Sequence, residues 1–163
     1  MKKFTGLILA GAAALSMTVA AAEASGGNKV RERCKVRADD VGKLDARWEI
    51  KRLGSERERR RFRAQFEADD ALGLVAGALI DVYVSTTDTT VDPPVESLVL
   101  VGQMTLKQDS EGDLGSKLRF DTKPHLSPTH PWQPFPAVWP LDVAEGTTVE
   151  LRNGATSLLM CDL

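Results

Sequence analysis

The sequence predicts an all-β fold: an antiparallel β-sandwich of about eight strands, with a closed β-barrel as the alternative. Two observations predict it. Apolar and charged residues alternate with period two in at least five separate segments, the pattern of strands with one dry and one wet face. Gly, Asp and Pro break these segments at intervals of roughly 8–15 residues, the spacing of a sandwich or barrel. Strands buried in a parallel sheet would be apolar on both faces.

The chain opens on a different kind of element. Met1, Lys2 and Lys3 carry positive charge, residues 4–22 are apolar or small, and Ala22-Glu23-Ala24 places small residues at a cleavage site. This is the layout of a secretory signal, predicted over residues 1–24. Its apolar run is too short and too rich in Gly and Ala for a stable membrane anchor. Residues 25–163 then form one domain, and no later stretch is long or apolar enough to span a bilayer. The expected product is periplasmic or extracellular, exported by a bacterium, with no membrane insertion once the signal is cleaved.

Eight strands follow in order. In the first, Val30, Cys34 and Val36 share one parity, and Arg31, Arg33, Lys35 and Arg37 the other. In the second, Leu44, Ala46, Trp48 and Ile50 alternate with Asp45, Arg47, Glu49 and Lys51. In the third, Phe62, Ala64, Phe66 and Ala68 alternate with Arg61, Arg63, Gln65 and Glu67. Residues 78–84 and 97–106 are more apolar and read as central strands. Residues 117–121 alternate again, and 147–152 and 156–163 flank Asn153-Gly154, a strong hairpin signal. An outer-membrane barrel is disfavoured, because the first three strands turn Arg, Lys and Glu away from their apolar face.

Cys34 and Cys161 both fall on the apolar parity, near opposite ends of the domain. In an oxidising compartment such a pair predicts a disulfide. It would close a loop of roughly 128 residues, worth on the order of 4–5 kcal/mol by chain entropy. Neither cysteine stands at residue 25, where a lipid anchor would need one.

Charge excludes some partners. The chain has 21 basic and 23 acidic residues, a formal net charge of −2. Without Lys2, Lys3 and Glu23 the balance is near −3, which argues against nucleic acid as a partner.

Two connections read as long loops, 86–96 and 122–140. The second holds both histidines, His125 and His130, and three large rings, Trp132, Phe135 and Trp139, among six prolines. Proline stiffens such a segment and lowers the entropy lost on binding. Its rings either present a platform to a protein or glycan partner or fold back to plug one end of the sandwich. These five residues are the candidate binding set.

Other features read as ordinary surface. Residues 108–115 resemble a calcium loop in their alternating acids, but Gly112 comes one position early and the closing Glu is missing, so a hairpin turn is expected. Arg57, Arg59, Arg60, Arg61 and Arg63 would form a basic stripe facing solvent, interleaved with acids. No nucleophile elbow, metalloprotease motif, phosphate loop or dinucleotide fingerprint occurs. The expected function is a non-enzymatic exported binding or structural domain, with no cofactor and no metal. The alternative is a hydrolase whose site combines His125 or His130 with Asp121 or Asp142.

Overall fold

A computed structural model describes residues 29–124 and 131–163. The predicted signal, residues 1–24, and both histidines lie outside the described residues.

Nine strands form in chain order: β1 (Lys29–Ala38), β2 (Gly42–Lys51), β3 (Arg59–Ala68), β4 (Leu79–Asp88), β5 (Val95–Thr105), β6 (Lys107–Gln108), β7 (Leu114–Asp121), β8 (Thr148–Asn153) and β9 (Thr156–Asp162). The one helical element among the described residues is a 3-10 turn, Asp70–Leu72, capped by the Asp69 carboxylate. The strands make two antiparallel sheets. One has the order β1-β2-β3-β7-β6, the other β5-β4-β8-β9. The sheets do not merge into a barrel. The fold is a sandwich.

The core is what the alternation predicts. Leu44, Ala46, Trp48, Phe62, Ala64, Phe66, Leu118 and Phe120 cover the inner face of the five-stranded sheet. Ile80, Val82, Val84, Met104, Val149, Leu151 and Leu159 face them from the other sheet. Gly102 faces the other sheet with little room to spare: a Cβ there would stand 3.1 Å from Leu118 Cδ2 and 3.2 Å from Phe120 Cζ.

Each open side of the sandwich has its own tie. On one side the main chain passes from β5 to β6 through Leu106, so a single run of residues serves both sheets. The Leu106 side chain is buried, and its backbone pairs with Gly77 and Ala78. On the other side Cys34 of β1 is bonded to Cys161 of β9, with Cα atoms 5.8 Å apart. The predicted disulfide is present.

Three details differ from the sequence reading. The loop expected over 86–96 shrinks to residues 89–94, because Thr86, Thr87 and Asp88 continue β4 and pair with Ser97, Glu96 and Val95. These positions have no buried face, so they show no alternation to read. Second, a short strand β6 follows β5 on the other sheet, at residues 107–108, where the sequence predicts the end of a strand and the start of a turn. Third, the β8–β9 turn is Gly154-Ala155, one residue beyond the Asn-Gly centre expected, since Asn153 pairs with Thr156. Gly154 takes the positive φ of 59° at the first turn position, where a side chain would be strained.

Candidate functional site

The outward parity of β1, β2, β3 and β7 forms a face of five cross-strand rows. Of its nineteen positions thirteen are basic and four acidic, leaving only Gln65 and Gly115 uncharged. The rest of the molecule must therefore be acidic, since the whole chain carries −2. Charge is segregated onto one sheet.

Registers sort this face further. One row reads Arg31, Glu49, Arg61, Asp121, and another Lys35, Asp45, Gln65, Lys117. Between them lies Arg33, Arg47, Arg63, Arg119: four arginines directly opposite one another on four adjacent strands. Like charges at facing positions destabilise a sheet. All four side chains are half-buried, which strengthens the repulsion.

The acids beside the row are already engaged. Asp121, fully buried, accepts two bonds from Arg59 Nε at 2.8 and 3.0 Å, one from Arg59 Nη2 at 2.7 Å and one from Arg61 at 2.8 Å. The Lys123 backbone N–H adds another at 2.9 Å. Burial raises the carboxyl pKa, but these bonds outweigh it and hold Asp121 below the usual carboxylate range. Asp45 takes a forked pair from Arg33 at 3.0 and 2.6 Å and sits 3.9 Å from Arg63. Burial again opposes ionisation, and Arg33, Arg63 and Lys35 together lower its pKa. Glu49 is likewise held low against burial by Lys29, Arg31 and Lys51.

No carboxylate is left for Arg47 or Arg119. Among the described residues Arg47 and Arg119 form no ion pair, and the Nε atoms of Arg47, Arg63 and Arg119 are buried without a hydrogen-bond partner. Burial lowers the pKa of Arg47, and Arg33, Arg63 and Arg31 press it further down. Burial and then Arg63 do the same to Arg119. An unpaired buried donor on a charged group is costly, and an anion would satisfy it. A depression of about 330 Å³ lies over these groups, lined by Arg47, Glu49, Arg61, Arg63, Arg119 and Trp132. A larger one of about 740 Å³ begins at Arg119 and continues past Lys117 and Gly115, with Pro131 and Gln133 on its border.

The Pro/Trp-rich loop divides its rings between the two sides of the sheet. Gln133 pairs with the free edge of β7: its carbonyl accepts from Asp121 N–H and its N–H donates to the Arg119 carbonyl. From this anchor Trp132 lies on the outer face, its ring centre 5.2 Å from the Arg61 guanidinium and 5.9 Å from that of Arg119. Phe135 and Trp139 turn inward. Trp139 packs on Phe62, Trp48 and Phe120 with centroids 4.9, 5.6 and 5.7 Å away, and Phe135 packs on Trp139 at 4.7 Å. The candidate ring set is thus one surface ring and two core rings. His125 and His130 are outside the described residues.

The two acids considered as histidine partners already have structural work. Asp121 holds Arg59 and Arg61, and Asp142 accepts from Thr86 Oγ1 and Thr87 N–H at 3.0 Å each. Among the described residues no group of three metal-ligating side chains exists. Asp109 accepts from Glu111 and Asp113 N–H, as expected for the turn between β6 and β7.

The sequence reading noted a basic stripe on β3 but missed its partners. Alternation alone places Arg33, Arg47, Arg63 and Arg119 outward; their alignment into one row needs the registers, which the turns at 39–41 and 52–58 set for the first three and the long-range β3–β7 pairing sets for Arg119. No family model, no curated protein and no solved structure matches this chain.

Proposed function

We propose that this chain is an exported, non-enzymatic binding domain that takes an anionic ligand on the outer face of its five-stranded sheet, beside Trp132. One observation carries the reading: four arginines share a cross-strand row, and three keep a buried Nε without a partner. Local rules of sheet stability are broken along the whole length of this row, and such conflicts gather at functional sites. Guanidinium forks suit carboxylate, sulfate or phosphate oxygens, which accept two parallel bonds. Trp132 supports the reading by holding Arg61 and Arg119 against its ring, which limits the entropy lost when an anion binds.

Export is part of the proposal. The Cys34–Cys161 disulfide suits an oxidising compartment, and among the described residues no helix is long and apolar enough to cross a membrane. Cell fractionation tests it: cleaved protein outside the cytoplasm supports export, and uncleaved protein inside it overturns that part.

The binding claim is tested with immobilised dextran sulfate. The parent is expected to bind and to elute with rising salt, because its contacts are ionic. Arg47→Ala and Arg119→Ala should elute at clearly lower salt. Parent protein that flows through, or variants that elute with the parent, would overturn the assignment of this face.

A further inference from the structure

We infer that the anion is a linear acidic polysaccharide, laid across the strands along the row Arg33–Arg47–Arg63–Arg119 and ending against Trp132. This rests on the anion-binding reading above and names the chemistry of its ligand.

The repeat of the row is the first argument. Neighbouring strands lie about 4.8 Å apart, so the four arginines offer cations at that interval over about 14 Å. A single small anion would use one or two of them. A polymer bearing one acid group per monomer uses them all, and a sugar unit advances a linear polysaccharide by close to one strand spacing. Glu49 and Asp121 on one side, and Asp45 on the other, are each already held by lysine or arginine partners. Their own cations leave the flanking rows close to neutral, so the unpaired positive charge is concentrated on the arginine row.

The shape of the face agrees. The depression over Arg47, Arg63 and Arg119 is open to solvent and has Trp132 in its lining. Trp132 is half-exposed and stands within reach of the last arginine, where an aromatic ring suits the C–H face of a sugar.

The same face argues against a lipid surface. None of its nineteen strand positions carries an apolar side chain, which leaves Trp132 as the one ring named on this face that could enter a bilayer. Nucleic acid is disfavoured by the chain's formal net charge of −2 and by the export reading. Both are outcomes of the test.

The probes are polyuronate oligomers of two, four and six sugars, their methyl esters, single-stranded DNA and vesicles containing anionic phospholipid, each measured by calorimetry on the oxidised protein. The tetramer should bind about tenfold tighter than the dimer, with little gain from tetramer to hexamer, because the row holds four cations. Methyl esters should not bind. Arg47→Ala and Arg119→Ala should each weaken the tetramer about five- to tenfold, with Arg47→Lys in between because an ammonium cannot fork. Trp132→Ala should weaken sugar oligomers more than it weakens dextran sulfate.

Tighter binding to DNA or to vesicles than to the tetramer would overturn the inference, as would affinity that does not depend on oligomer length. Dextran sulfate separates the two levels of claim. If it binds and oligomer length has no effect, the polysaccharide row is wrong and the anion face stands. If it does not bind, both fall.

Discussion

At the scale of single residues, Arg47 is where stability and binding pull apart. It faces Arg33 on one side and Arg63 on the other, and among the described residues no carboxylate pairs with it. Removing its charge relieves repulsion that a facing pair suffers at both neighbours. Arg47→Gln is expected to raise stability by about 0.5 kcal/mol at low salt. The gain should shrink in high salt, which already screens the parent's repulsion. Thermal unfolding at two salt concentrations measures this, and a loss of stability at low salt would show that Arg47 serves packing. Asp121 is the opposite case. Its side chain is fully buried, while Arg59 and Arg61 keep 31% and 25% of theirs exposed. Asp121→Ala is expected to cost about 3 kcal/mol, the low end for breaking a buried pair, because the two guanidiniums left behind can rehydrate. The sign of the pH effect follows from its depressed pKa. The stabilisation is complete above the unfolded value of about 3.9 and is lost as pH falls through the lower folded value. Unfolding midpoints taken from pH 6 to pH 3 should fall less steeply for Asp121→Asn than for the parent. Equal slopes would mean that other carboxylates carry the acid sensitivity.

At the scale of elements, the 131–140 segment shows how one irregular stretch serves two faces. Its prolines bar it from a sheet ladder, yet Gln133 still docks on β7 and sends Trp132 outward and Trp139 inward. The two tryptophans should therefore respond differently to truncation. Trp139→Ala leaves a hole among Trp48, Phe62, Phe120 and Phe135, and is expected to cost about 3 kcal/mol. Trp132→Ala loses only ring–guanidinium contacts, about 1 kcal/mol or less. Urea unfolding of the two variants checks this, and equal losses would contradict the division. This split was not legible in the sequence, where Trp132, Phe135 and Trp139 look alike; it depends on which side of β7 the chain crosses. The strands were legible, because Leu44 to Ile50 and Phe62 to Ala68 each have a buried and a wet face to contrast. Strand ends without a buried face, such as Thr86 to Asp88, gave no contrast and read as loop. The arginine row was half legible: parity put each arginine outside, and only the strand registers, two set by hairpins and one by the long-range β3–β7 pairing, put them in line.

At the scale of the whole molecule, the two sheets are held at both margins by covalent chain, through Leu106 on one side and Cys34–Cys161 on the other. The disulfide joins positions 127 apart in sequence, so it encloses nearly the whole described domain. Its effect is therefore mainly on the unfolded chain, which it keeps compact. The folded side gains less: β1 is already zipped to β2 over ten residue pairs, and β9 pairs with β8. The Cys34→Ala/Cys161→Ala variant is expected to keep its fold and lose about 2–5 kcal/mol. Its urea dependence should also steepen, because an unfolded chain without the bridge exposes more surface. Arg33 lies next to Cys34 on the edge strand, whereas Arg47, Arg63 and Arg119 lie on strands paired on both sides. Loosening β1 should thus weaken only the Arg33 end of the row, and the doubly substituted protein should bind the uronate tetramer about threefold more weakly while still distinguishing it from the methyl ester. Urea titration and calorimetry on the same preparation check both halves. An unchanged midpoint and slope would show that the bridge does not constrain the unfolded state, and complete loss of tetramer binding would show that the row depends on β1 far more than its ladder to β2 implies.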